Sequence, residues 1–391
     1  MDQAIILAAG EGQRLRPLTV FRPKVMLSIG NKPILQYVLE AVAANGIRNV
    51  LVVVGYRKEQ VQDYFGSGEA FGIDIKYIEQ KQQLGTAHAL KQAENHAGDR
   101  FLVISGDNII RPSTIASLLN ANSHTILVRP QENVSKYGVV LVRKGIVTGI
   151  IEKPPKDGSN LVNTGIYAFT KDVFAFIGDE VDLPAVLMRM VNDGTAIRSC
   201  ETADTWLDVV YPWDMLKLNA LVLNADAGSI GGHVEHGAIV KGPVSIGQGS
   251  IIRSGCYLVG PAAVGKNCEI GPHVCILPST SVGDNVVLSA FSSLKNSIVG
   301  NNVQLGPFSH LEDSIVAGGS RFAGHFTAHS DEAMVYVENE PHRIAMGTVV
   351  GEHSHFGPNI AVSPGTVIGN RCHVEGMKLL HANIPDGCKV V

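Results

Sequence analysis

From Val234 to Leu294 an aliphatic residue recurs at every sixth position: Val234, Val240, Ile246, Ile252, Leu258, Val264, Ile270, Ile276, Val282, Leu288 and Leu294, eleven in succession. The frame slips and resumes at Val299, Leu305 and Leu311, slips again to Val316 and Phe322, and returns at Val350, Phe356, Val362, Ile368 and Val374. Glycine often follows, as at Gly247, Gly265, Gly271, Gly283, Gly306, Gly351, Gly357 and Gly369. A helix repeats near 3.6 residues and a strand at 2, so neither keeps a phase of six. A coil of short strands does, with one inward aliphatic per hexad and each coil stacked on the next to bury a continuous apolar column. Glycine is expected at the corners, where φ is often positive. The spacing predicts a hexapeptide β-helix over 226–391.

The residues before it read differently. Positions 1–225 hold 18 of the 42 glycines and both tryptophans, Trp206 and Trp213. Short apolar runs at 4–9, 50–55, 75–80 and 101–107 alternate with helical patterns at 34–46, 58–66 and 85–97. Strands spaced by helices predict a mainly parallel sheet covered on both faces, an α/β Rossmann-like domain over 1–225. Such sheets bind ligands beyond the C-terminal ends of their strands, and several polar clusters of this chain follow predicted strands.

The 391 residues carry 32 basic and 36 acidic side chains without a basic arm or acidic tail. Neither nucleic acid nor an anionic membrane is therefore an expected partner. The apolar runs are of strand length, too short to span a bilayer. The N-terminus reads as a first strand rather than a signal peptide. The six cysteines form no C-x-x-C pair and are expected as reduced thiols of a cytoplasmic protein, several of them filling the core.

The first polar cluster is LAAGEGQRLRPLTVFRPK, residues 7–24. A strand runs into Gly10-Glu11-Gly12, then come Arg14, Arg16 and Lys24. Glycine lets backbone N–H groups approach a phosphate, and an arginine can grip one with two donors. The dinucleotide fingerprint is incomplete, because Leu15 stands where its third glycine belongs, and no G-K-[ST] of a P-loop follows. The whole string resembles the signature L-A-x-G-x-G-x-R-L-x-P-L-T…P-K of sugar-1-phosphate nucleotidylyltransferases, with Gln13 in place of the usual Thr. The resemblance covers roughly 1–220 and returns in further clusters. It implies that Arg14 holds a triphosphate and that Lys24 contacts phosphate at the reacting centre. In IEQKQQLGTAHAL (78–90) it implies that Gln80 or Gln83 reads a nucleobase edge, with Gly85 beside the base and Thr86 near the sugar. A carboxamide pairs well with a pyrimidine imide, so UTP or dTTP is the expected donor. Asp107 of SGDN and Asp208 of WLDVVYPWD match the family's two Mg²⁺ ligands. Gly138, Glu152 and Asn163 match its contacts to sugar hydroxyls, and Lys153 its contact to the sugar phosphate. The implied reaction is in-line attack by a sugar 1-phosphate oxygen on the α-phosphorus of an NTP, with pyrophosphate leaving.

The tail resembles left-handed hexapeptide-repeat proteins, and the left hand comes from that resemblance. The combination is similar to bifunctional enzymes that acetylate glucosamine 1-phosphate with acetyl-CoA and then uridylylate it. SHLEDSIVAGGSRFAGHFTAH (309–329) places His310 at that family's general base, and a second alignment places His325 there. The Tyr and the G-A-G-T turn of the motif are absent, and an acidic stretch, 330–343, replaces the Lys-rich one. Acetyl transfer on His310 is thus an alternative second activity and a non-catalytic regulatory paralogue a further alternative. The resemblance implies a homotrimer, or a multiple of one. His355 and His373, one coil apart, are expected to stack as solvent-facing corner residues.

Overall fold

The computed structural model describes residues 1–132, 134, 137–152 and 159–391. By contact density these residues form two compact units. The first comprises Met1–Glu11, Arg22–Met26 and Pro33–Asp208, the second Gly12–Phe21, Leu27–Lys32 and Val209–Val391.

In the first unit the expected alternation appears. Strand β1 (Gln3–Ala8) is followed by α1 (Ile34–Ala44), β2 (Asn49–Val54), α2 (Lys58–Phe65), β3 (Asp74–Glu79), α3 (Thr86–Gln92) and β4 (Arg100–Ser105). Then come β5 (Asn108–Ile110), β6 (Thr125–Pro130), β7 (Gly138–Arg143), β8 (Ile146–Glu152), β9 (Leu161–Thr170), α4 (Leu183–Asn192), β10 (Arg198–Glu201) and β11 (Trp206–Asp208). The main sheet has nine strands in the order β3-β2-β1-β4-β9-β6-β10-β8-β7. β3, β2, β1 and β4 are parallel, whereas β9 runs antiparallel to both β4 and β6, and β8 to both β7 and β10. The sheet is therefore mixed rather than mainly parallel. β7 and β8 form a hairpin, and the connection through α4 returns β10 parallel to β6.

Both faces of the parallel half are dry, which is why its strands read as unbroken apolar runs. Ala4, Ile6, Val50, Val52, Leu102 and Ile104 pack against α1 and α2. Their alternates Ile5, Leu51, Val53, Phe101 and Val103 pack against α3 and α4.

The second unit holds the hexad repeat as three parallel sheets of eight, nine and eight short strands, a left-handed parallel β-helix. From Val244 to Leu380 the inward residues form one buried column, with Val234 and Val240 partly buried at its start. Successive coils pair at an offset of 18, as in Ile252↔Ile270, and the first slip shortens one coil to 17, as in Val282↔Val299. An antiparallel hairpin, Asp331–Val337 with Glu340–Met346, leaves the coil and re-enters it without loss of pairing, since Val316 pairs directly with Val350.

The glycines that follow the inward aliphatics play another part than expected. Of these only Gly271 has positive φ. A Cβ on Gly247 would lie 2.5 Å from the Gly265 carbonyl carbon, and one on Gly265 would lie 2.6 Å from that of Gly283. These positions are bare so that coils can touch backbone to backbone. Left-handed φ falls at other glycines, Gly237, Gly249, Gly255 and Gly319 among them, and at Asn267, Asn285, Asn302 and Asn359, a region Asn tolerates better than most residues. His355 and His373 pair in register on a strand, not at a corner, and both are exposed. All six cysteines are free thiols, three of them buried. Among the described residues no helix is long and apolar enough to cross a membrane.

Candidate active site

Two distant segments meet in the first unit through one short pairing. β5 and β11 run antiparallel with Asp208 opposite Asn108, which sets Asp208 beside Asp107. Trp206 fixes β11 by donating its indole N–H to the Thr164 carbonyl at 2.8 Å, and Asn108 donates to the same oxygen at 3.2 Å. The Lys24 ammonium lies between the carboxylates, 2.5 Å from Asp107 Oδ2 and 3.2 Å from Asp208 Oδ1. The three side chains are 16, 30 and 20 % exposed. Burial pulls the lysine pKa down, but the two carboxylates outweigh it, and the net pKa lies above that of a free lysine. Lys24 is thus a fixed cation at neutral pH. The expected trio Lys24, Asp107 and Asp208 is brought together.

The Q-x-x-x-L-G-T segment starts at the C-terminal end of β3. Gln80 is buried, and its amide nitrogen donates to the Gly85 carbonyl at 3.1 Å and lies 2.9 Å from His88 Nδ1. Gln83 is exposed, with its amide donating to the Gln80 carbonyl, and it lies over Gly55, where a Cβ would come within 2.7 Å of Gln83 Nε2. Gly85 has φ 153°, and a Cβ there would strike the Val181 carbonyl at 2.4 Å, so only glycine fits. Thr86 accepts the Leu183 N–H at 2.8 Å and donates to Asp182, which ties the segment to the start of α4. Gly10 is exposed with open space around its α-carbon.

Gly138, Glu152 and Asn163 also converge. Gly138 pairs with Glu152, and a Cβ on Gly138 would lie 2.9 Å from Glu152 Oε1. Val139 pairs with Val162, which brings Asn163 next to Gly138 in the ladder. Asn163 donates to the Tyr167 hydroxyl and accepts the Gly165 N–H, both at 2.9 Å. Lys153 lies outside the described residues.

Arg14 is placed in the second unit with the loop Gly12–Phe21. Gly12 opens that loop at φ 83°, and its carbonyl accepts the Thr19 hydroxyl at 2.9 Å. The Pro17 carbonyl accepts from the Asn370 amide at 3.0 Å, and Arg371 lies over the Phe21 ring. Arg14 Nε donates to Glu338 Oε2 at 2.8 Å, a hydrogen bond that raises its pKa further. Glu338 is the residue that sequence reasoning missed. It belongs to the acidic stretch 330–343, but no local signal directs it to a residue 324 positions away.

His310 and His325 occupy different places in the coil. His310 is half-buried on a strand between Ser293 and Thr327, with Leu311 inward. His325 turns a corner and stacks on Phe308 at 5.0 Å, the end of a ladder through Phe291 to His273.

Residues 3–224 match the nucleotidyl transferase family, and residues 240–327 match the GMPPB C-terminal domain. The chain is 32 % identical to the bifunctional protein GlmU of Methanocaldococcus jannaschii over 97 % of this chain and 95 % of that one. It is 33 % identical to a glucose-1-phosphate thymidylyltransferase of Streptomyces antibioticus, over 72 % of this chain and 83 % of that one. A crystal structure described as a putative glucose-1-phosphate thymidylyltransferase from Bacillus anthracis superposes with a TM-score of 0.53 at 26 % identity, covering 58 % of this chain and 97 % of that one. With its strand-end cluster, its β-helix tail and these matches, the chain belongs to the nucleotidyl transferase family, as one of its sugar-1-phosphate nucleotidylyltransferases.

Proposed function

We propose that the enzyme transfers a uridylyl or thymidylyl group from UTP or dTTP to a sugar 1-phosphate, releasing pyrophosphate, with Mg²⁺ as its metal. The observation that carries this reading is the meeting of Lys24, Asp107 and Asp208 at one point beyond the strand ends. Two carboxylates already arranged around one cation are a fitting hard-oxygen donor set for Mg²⁺, which completes its octahedron with water and phosphate oxygens. When bound there, the ion would neutralise charge on phosphate oxygens.

Both reactants are anionic, so positioning and charge neutralisation are the main tasks, and no covalent nucleophile is needed. Lys24, protonated at all working pH values, offers its ammonium to a phosphate oxygen at the reacting centre. Arg14, by its match to the family signature, holds the triphosphate. Gln83 is the exposed carboxamide that reads the base edge, and Gln80 supports it by bracing Gly85. Gly138 leaves room for a sugar ring beside Glu152 and Asn163, whose oxygens accept from ring hydroxyls. The test is a pyrophosphate-release assay with UTP, dTTP, GTP and ATP and a panel of sugar 1-phosphates. Faster turnover with either purine nucleotide would overturn the base assignment. Unchanged turnover in a folded Asp107→Ala enzyme would overturn the metal assignment.

A second reading is favoured by the GlmU relative and by His310 on the β-helix: acetyl transfer from acetyl-CoA to glucosamine 1-phosphate. A neutral imidazole can take the proton of an attacking amine. Thiol release from acetyl-CoA, compared among wild type, His310→Ala and His325→Ala, decides it and names the base. The domains 1–225 and 226–391 would then each carry one activity. The flat β-helix faces support a trimer, and a sedimentation run showing only monomer would remove that.

A further inference from the structure

The hairpin Asp331–Met346 is the one antiparallel excursion from the β-helix among the described residues, and its turn ends on Arg14. Val337 pairs with Glu340, so Glu338 and Asn339 form a two-residue turn with φ of 51° and 66°. Two positive φ values in succession favour Asn and Gly. Asn339 suits its place. Glu338 does not, because a long side chain in the left-handed region carries a backbone cost. An uncommon residue held in an unfavourable conformation invites the question of what its side chain does. Here its carboxylate hydrogen-bonds Arg14 Nε at 2.8 Å.

The hairpin is anchored independently of that bond. His342 packs its ring 4.6 Å from Tyr211 and 5.2 Å from Trp213, which stack on each other. Arg343 and Glu332 pair across the strands. A cavity of about 190 Å³ lies alongside, lined by Gln13, Arg14, Trp213, Tyr336 and Glu338 among others. The turn is therefore presented to Arg14 by a braced element and is not carried there by Glu338 alone.

We propose that Glu338 is an internal anionic competitor for the nucleotide's phosphates at Arg14, and that the hairpin thereby sets the affinity for the nucleotide. The inference rests on the phosphate-binding role proposed for Arg14. The Nε–H donor committed to Glu338 is not available to a phosphate, and the carboxylate offsets part of the guanidinium charge, so the two anions compete for Arg14. The arginine and glutamate side chains are 42 and 50 % exposed, so the pair is weak enough to be displaced. Removing the competitor should tighten binding about two- to fivefold, the range of an exposed pair.

The experiment compares wild type, Glu338→Gln and Glu332→Gln, measuring UTP affinity by calorimetry and KM and kcat by pyrophosphate release. Glu338→Gln should lower both Kd and KM for UTP about two- to fivefold with kcat unchanged. The gain should shrink in about 0.5 M salt, where exposed charges are screened. Glu332→Gln removes one brace of the same hairpin but leaves the His342 packing on Tyr211 and Trp213 that holds it, and should leave UTP affinity as in wild type. Equal or weaker UTP binding by Glu338→Gln, with wild type binding normally, would overturn the competitor while leaving the nucleotidyl-transfer reading intact. No binding of UTP by any of the three would remove the reading of Arg14, and the inference with it.

Discussion

Replacing Lys24 by methionine keeps the length of the side chain and removes the one cation between Asp107 and Asp208. Taking one partner from a buried ion pair costs about 3–5 kcal/mol, whereas an exposed pair contributes about 1 kcal/mol or less. With side chains 16, 30 and 20 % exposed, this trio lies between those limits, and a loss of about 2–3 kcal/mol is expected. In a unit of this size that corresponds to roughly 4–12 °C in Tm. The two carboxylates left facing each other should then take up a divalent ion more readily, because no ammonium competes for them. Saturation at about a hundred times Kd would restore about 2.7 kcal/mol. Thermal melts in EDTA and in MgCl₂ read both effects without any catalysis. Lys24→Met should melt well below wild type in EDTA and recover most of the difference in MgCl₂. Lys24→Met combined with Asp107→Asn and Asp208→Asn should show no recovery. A Lys24→Met protein as stable as wild type in EDTA, or one whose triple variant recovers equally, would refute the reasoning.

Two further outcomes follow from the packing. Phe322 is 4 % exposed and lies 4.6 Å from Phe326 and from Phe356 in the β-helix core, so Phe322→Ala should cost about 3–5 kcal/mol by chemical denaturation; a loss under about 1 kcal/mol would mean the coil collapses around the gap. His124 is buried with Nδ1 unpartnered, and burial lowers its pKa against the opposing pull of Asp172. Its folded pKa lies below the unfolded value of about 6.5, so its contribution is full above that pH and lost as pH falls through the folded value. His124→Phe should flatten the stability profile below about pH 6.5, and an unchanged slope there would exclude the histidine as its source.

What the sequence alone determined is whatever depends on local period. The inward hexad column lies on one chain axis, and each hit obeys the same short-range rule, so its phase survives the two slips and the hairpin. The buried strands of the parallel half were equally legible, because a sheet covered on both faces demands unbroken apolar runs. The trio Lys24, Asp107 and Asp208 was named residue by residue from its motifs, but its geometry depends on the pairing of Asp208 with Asn108, which no local pattern encodes. Glycines such as Gly249 and Gly255 have the left-handed φ expected of corners, but the use of those that follow the inward aliphatics was misread. Composition marks where a side chain is missing but not whether φ or a neighbouring coil requires it, and at Gly247 and Gly265 the neighbouring coil decides. Gln80 and Gln83 are alike as letters, and only burial separates the brace from the exposed amide. Arg14 marks the limit of reading from sequence. Its signature is local and unmistakable, yet its partner Glu338 is 324 residues away, brought to it by the folded β-helix, because a charge takes the counter-charge that tertiary structure places beside it.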